Sequence, residues 1–113
     1  MTITNVPAGL VTTKKEMIRN ELICWIDRVN TYRKAQYQER GLESAFMPVE
    51  IHGGRKWIRI VSDGSAFCFV KAEDGTIWKA ASWKGPAKNF SRGNIFDKDV
   101  TKAVGMYGAH YAS

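Results

Sequence analysis

A change of apolar period near Gly41 constrains this chain more than any other feature. Upstream of it, Ile18, Leu22, Trp25, Val29 and Tyr32 recur at spacings of four, three, four and three residues. That spacing lines one face of an α-helix. Ile26 widens the stripe. Thr13-Lys14-Lys15-Glu16 precedes the stripe and has the form of a capping box. In such a box the Thr13 hydroxyl accepts from the Glu16 amide while the Glu16 carboxylate reaches back. Gly41 is a natural stop. The pattern predicts a helix from about Lys14 to Arg40, roughly 40 Å long at about 1.5 Å per residue. Arg19, Asp27, Lys34 and Gln38 occupy its other side, a solvated face of mixed charge with no assigned role.

Downstream of Gly41 the apolar runs shorten and turn residues separate them. Pro48 leads into a short strand, Val49-Glu50-Ile51. Gly53-Gly54 signals a hairpin, and Lys56 to Val61 forms the second strand. Ser62-Asp63-Gly64-Ser65 turns the chain into a third strand, Ala66 to Lys71. Glu73-Asp74-Gly75 turns it again into a fourth, Thr76 to Ala81. Connections this short allow only antiparallel neighbours. The expected fold class is α+β: a long N-terminal helix packed on a four-stranded antiparallel meander. A short C-terminal helix is expected from Asp97 or Lys98 to Val104, capped by Asp97. Residues 1–12 read as a lead-in segment, disordered over about the first ten, and residues 13–113 as a single α+β domain. Residues 105–113 are too apolar for a free tail and too glycine-rich for a helix, so they are expected to dock on the body.

Charge is where the sequence first speaks to function. The net charge is +6 over 113 residues. Residues 51–96 contain eight Lys/Arg and three Asp/Glu, a balance of +5, whereas residues 1–50 contribute +1 and residues 97–113 nothing. An excess so confined forms a patch if the segment folds as one sheet. Such a patch suits nucleic acid, an anionic surface or an acidic protein; the plain alternative is solubility charge.

The densest part is Lys79 to Phe96, with Lys79, Lys84, Lys88 and Arg92 and no acid. Trp83, Phe90 and Phe96 are interleaved, with Gly85-Pro86 and Gly93-Asn94 as breakers. Cations, flat rings and turns together grip phosphates and stack on bases. The competing reading makes Trp83, Phe90, Ile95 and Phe96 anchors of a loop of about a dozen residues, Ser82 to Asn94, whose cations stay solvated.

Strand alternation adds a second candidate surface. Ile58 and Ile60 face the core, because Arg59 is costly there. Trp57, Arg59 and Val61 then face the other way. If Lys71 also faces outward, Phe67 and Phe69 join it, and the open face carries Trp57, Arg59, Phe67, Phe69, Lys71 and Lys79. If the Lys71 and Lys79 stems instead snorkel from a buried face, the two phenylalanines are core residues. The segment F-C-F-V resembles part of the RNA-recognition-motif octamer at Phe67, Phe69 and Val70. The preceding basic residue and glycine, the closing aromatic and the strand-first order of that fold are absent. W-K-G-P-A-K, then R-G-N-I-F-D and a short helix resemble small proteins of tailed bacteriophages over about Trp57 to Asp97. That resemblance implies a phage or prophage origin and carries no activity.

Other function classes find little support. His52 and His110 are the only histidines, and Asp63 and Asp74 sit in turns, where Asp serves the backbone. No Walker loop, nucleophile elbow or metal-binding carboxylate pair occurs. No Cys/His spacing suits zinc, so no metal or cofactor is expected. Cys24 and Cys68 lie inside I-C-W-I and F-C-F-V and read as buried small hydrophobes in a reducing compartment. The N-terminus has no basic start followed by a long apolar stretch, and no run reaches the ~20 residues of a membrane span. A cytoplasmic protein is expected, in a bacterial host cell if phage-encoded, with no membrane partner.

The function expected from these features is a small non-enzymatic nucleic-acid-binding protein, acting on single strands or with little sequence preference. Arg59, Lys79, Lys84, Lys88 and Arg92 would neutralise phosphates, and Trp57 and Trp83 would stack on bases. The alternative is a protein-binding module, either docking on an acidic or host protein or self-assembling as a structural oligomer.

Overall fold

The computed structural model describes residues 13–111, so the lead-in lies outside the described residues. Helix α1 spans Lys14–Glu39, one residue short of the expected end. Its capping box is formed: the Glu16 amide donates to Thr13 Oγ1 at 3.1 Å, and the Thr13 amide donates to Glu16 Oε1 at 3.1 Å. Ile18, Leu22, Trp25 and Val29 are buried, as their spacing requires, and Tyr32 and Ile26 pack against the same core. Each such side chain contributes about 1.5–3 kcal/mol by leaving water. Cys24 lies off that stripe and is exposed, which corrects the reading of it as a core residue; Cys68 is buried as expected.

Five strands form the main sheet: β1 (Glu50–Ile51), β2 (Trp57–Ser62), β3 (Ser65–Lys71), β4 (Thr76–Trp78) and β7 (Gly93–Asn94), in the order β1-β2-β3-β4-β7. All neighbours are antiparallel. The β2–β3 turn is Asp63-Gly64, with φ of 51° and 76°. Positive φ at both central positions is the type I′ form of a two-residue hairpin, which Asp tolerates and Gly prefers.

The expected fourth strand, Thr76 to Ala81, is two strands broken at Lys79. β4 stays in the sheet, and β5 (Ala80–Ser82) leaves it to pair with β6 (Gly85–Pro86) as a separate ribbon. The segment expected to be a loop is therefore a hairpin followed by β7, which returns to close the sheet beside β4. Asn94 ties that return to the β3–β4 turn, donating through Nδ2 to Asp74 O at 3.0 Å. The expected C-terminal helix is a single 3₁₀ turn, Val100–Lys102, capped by Asp99 rather than Asp97. Asp97 instead accepts from the Asp99 amide at 3.1 Å. The tail docks as expected: Met106 and Ala109 are buried, and the His110 amide donates to Ala103 O at 3.0 Å.

The molecule has three layers. Helix α1 covers one sheet face, meeting Ile58, Ile60, Cys68, Val70 and Ile77. The β5–β6 ribbon lies against β3 on the other, where Phe69 is fully buried. The register of β2 and β3 shifts between Ile60 and Val61, leaving Phe67 as an extra residue. A bulge breaks alternation, so Phe67 joins the helix-side core while Phe69 faces the ribbon. The proposed open platform of Phe67 and Phe69 therefore does not exist. Both rings are core, on opposite faces, and the partial likeness to the RNA-recognition octamer has no counterpart in the fold.

Candidate nucleic-acid interface

Arg59 organises the ribbon side of the sheet. It lies across from Phe69 in the register, and Phe69 lies across from Trp78. Its guanidinium carbon sits 5.7 Å from the Phe69 ring centre and 4.5 Å from that of Trp83, at the ribbon's turn. Arg59 Nε donates to Trp83 O at 2.8 Å. The arginine is thus sandwiched between a core ring and an exposed one. His52 meets the Trp83 ring edge-on, with centroids 6.2 Å apart.

Trp57 is half-buried and packs edge-to-face on Trp78, centroids 5.5 Å apart, with Lys71 Nζ 5.9 Å from the Trp57 ring centre. Trp78 is anchored in turn, its Nε1 donating to Thr76 Oγ1 at 2.8 Å. With Lys79 on the open face, alternation would have turned Trp78 to the core; instead Ile77 is buried and Trp78 lies against Trp57.

Two further cations pin the tail. Lys79 Nζ reaches Ala109 O at 3.4 Å and lies 3.7 Å from the Tyr111 ring centre. Arg92 Nε donates to the next carbonyl, His110 O, at 2.8 Å, and Nη1 donates to Phe90 O at 2.7 Å and Asn89 Oδ1 at 2.9 Å. Its guanidinium stacks on Phe90 at 4.2 Å. These two cations, expected to be phosphate ligands, are structural clasps as well. Lys84 and Lys88 differ. Both are exposed, and neither makes an ion pair or side-chain hydrogen bond among the described residues.

Three exposed rings are thus each backed by a cation: Trp83 by Arg59, Phe90 by Arg92 and Tyr111 by Lys79. The rings are 45, 47 and 82% exposed. A cation on one ring face leaves the other free to stack and brings positive charge beside it. No acid lies between Gly75 and Phe96, so nothing in that stretch cancels these charges. Tyr111 was invisible to sequence reasoning because only the docked tail brings it to Lys79.

Sequence reasoning also missed Arg33, the one buried charge among the described residues, 3% exposed. Its Nε donates to Met106 O at 2.7 Å, Nη1 donates to Met47 O, and Nη2 reaches Ser62 Oγ at 3.4 Å. Tyr37, Phe46 and Phe67 surround it at 5.1–5.6 Å. Burial pulls its ionisation below the ordinary arginine value, opposed by the nearby tyrosines. Carbonyl oxygens and ring faces, not a carboxylate, hold it in place.

No cluster of three or more His, Cys, Asp or Glu able to hold a metal occurs among the described residues. Burial pushes the Cys68 thiol up, away from the thiolate form. No described helix is long and apolar enough to cross a membrane.

The fold and site together define a small three-layer α+β domain with a basic, aromatic ribbon on one side. The chain belongs to the family of unknown function DUF7717, whose model matches residues 7–111. No curated protein and no solved structure matches it.

Proposed function

We propose that this protein binds single-stranded nucleic acid with little sequence preference and without catalysis, through the β5–β6 ribbon and the docked tail. The observation that carries this reading is the set of exposed rings backed by cations: Arg59 under Trp83, Arg92 on Phe90, Lys79 on Tyr111. Bases stack on the open ring faces, each worth about 1–3 kcal/mol. Lys84 and Lys88 neutralise phosphates between them, and Trp57 stands at the sheet end of the same side. A single strand should bind here better than duplex DNA, because stacking on these rings needs unpaired bases. Given the resemblance to tailed-phage proteins, the setting we propose is the cytoplasm of a bacterial host.

Fluorescence anisotropy of a labelled oligothymidylate, across a salt series and beside a duplex of equal length, tests this. Binding at low salt that weakens as salt rises, and favours the single strand, supports the reading. No binding at low salt sinks it. The alternative, a protein-binding module, rests on the same exposed Trp83 beside Arg59 and the exposed Tyr111, since Trp, Tyr and Arg are common interface anchors. Concentration-dependent mass in sedimentation, without oligonucleotide binding, would favour it.

A further inference from the structure

A second surface, on the opposite side of the sheet from the ribbon, points to a different partner. The first turns of α1 and the β1–β2 loop border a cleft made of two adjoining cavities, of about 740 Å³ and about 550 Å³. The cavities share Lys15, Ile18, Arg55 and Ala72, so they form one continuous trough. It is open to solvent along its length.

Its walls come from different parts of the chain. Lys15, Arg19 and Ile23 stand four residues apart and form one ridge of the helix. Opposite them stand Ile51, Arg55 and Lys56 of the β1–β2 region. Ile18, Leu22 and Ile58 make the floor. The opposite wall has a set shape: Gly54 has φ of 128°, and a Cβ there would run into the Trp57 carbonyl. The Arg59 amide holds the same loop by donating to Gly53 O at 3.0 Å.

Two properties of this trough go together. It is apolar at its floor and on part of its rim, where Ile23 is more than half exposed and Ile51 is exposed across from it. It is also cationic: Lys14, Lys15, Arg19, Arg55 and Lys56 line it against one acid, Glu73, which already pairs with Lys71 at 3.6 Å. The helix end itself is closed by its capping box, so the side chains and not the backbone amides supply the positive field. A phosphate backbone alone would use the basic rim and leave the isoleucine floor unmatched. An open trough with apolar floor and basic rim complements a peptide with aliphatic residues on one face and carboxylates flanking them.

We infer that the α1/β1–β2 trough docks an acidic amphipathic segment of a partner protein, with aliphatic side chains on Ile18, Ile23, Ile51 and Ile58 and carboxylates on Arg19 and Arg55. This inference does not rest on the nucleic-acid reading and uses none of its residues.

The test is anisotropy of a labelled peptide of roughly twelve residues, with Leu and Glu at helical spacing, titrated with the full chain. Binding is expected, weakened at least about tenfold when Gln replaces Glu or Ser replaces Leu in the peptide, since desolvated charge pairs and apolar anchors each contribute on that scale. Arg19→Glu with Arg55→Glu should abolish it, and Ile23→Ser should weaken it. All three positions are exposed, and an unchanged circular dichroism spectrum verifies folding. Lys84→Ala with Lys88→Ala should leave peptide binding intact, which separates this surface from the ribbon. The inference is overturned if the charge-reversed protein binds equally well, or if the Gln peptide does. It is also overturned if binding appears only after residues 1–12 are removed, which would make the chain's own lead-in the occupant.

Discussion

Arg59 holds Trp83 at two points, with its guanidinium 4.5 Å from the indole centre and its Nε donating to the Trp83 carbonyl at 2.8 Å. The pair joins the main sheet to the ribbon, so one side chain sets both the position of the ribbon and the presentation of its exposed ring. Arg59→Ala should loosen the ribbon, change the near-ultraviolet tryptophan signal and cost about 1–2 kcal/mol in urea unfolding, the usual size of a cation–π contact with a charged hydrogen bond. Arg59→Lys should not restore the signal, because an ammonium lacks the planar fork that reaches ring and carbonyl together. An unchanged spectrum in both variants would remove Arg59 as the organiser.

The Lys84 and Lys88 side chains make no hydrogen bond or ion pair among the described residues, so changing both to alanine isolates function from folding. Stability should stay within about 0.5 kcal/mol. The salt slope for oligothymidylate should fall by about 1.4, at about 0.7 per phosphate contact on a single strand. A slope equal to that of the unaltered protein would move the binding surface elsewhere.

Arg33 is a packing element with a charge. Arg33→Ala removes the donor for Met106 O and Met47 O and opens a gap between Tyr37, Phe46 and Phe67. The expected loss is about 2–4 kcal/mol, as unsatisfied buried acceptors and a cavity combine. Arg33→Met should recover the volume but not the carbonyl bonds and should fall between the two. Chemical denaturation ranks the three proteins.

The cysteines should differ sharply. Cys24 is exposed on α1 and Cys68 lies in the core between β2 and β4. One thiol should react quickly with a thiol reagent in the folded protein and the second only on unfolding. Two fast thiols would show that the sheet opens readily beneath the helix.

Asp74 sets an acid limit. Burial pushes its carboxyl up, but the Thr76 hydroxyl and amide, with Lys71 and Lys14, outweigh that and hold it below the ordinary 3.8. A folded value below the unfolded one adds stability above the unfolded value and loses it as pH falls through the folded one. Asp74→Asn should therefore lower the urea midpoint at pH 7, and the gap should narrow as the pH falls below the ordinary carboxylate value. A gap of equal size at both pH values would mean that the effect is not one of ionisation.

The period change at Gly41 made the class readable because local rules decide it. A capping box, a four–three apolar stripe and turn residues act over a few positions. Hence α1 ends within one residue of expectation, and β2 and β3 follow with ends shifted by a residue. Lys79 shows where that logic stops. Thr76 to Ala81 looks like one strand, yet the chain leaves the sheet at Lys79 because the ribbon has Phe69 to cover.

The sequence by itself determined a helix-first α+β domain and a charge excess between residues 51 and 96. Those follow from composition and short-range periodicity, which need no knowledge of distant neighbours. Only the tertiary structure decided that Phe67 and Phe69 are both core, because one bulge reverses the alternation between them. Only it could assign Arg59, Lys79 and Arg92 partners 18 to 30 residues away, leaving Lys84 and Lys88 without such ties. Long-range contacts satisfy each buried group in turn, and which cations remain for a ligand is known only once the others have been claimed.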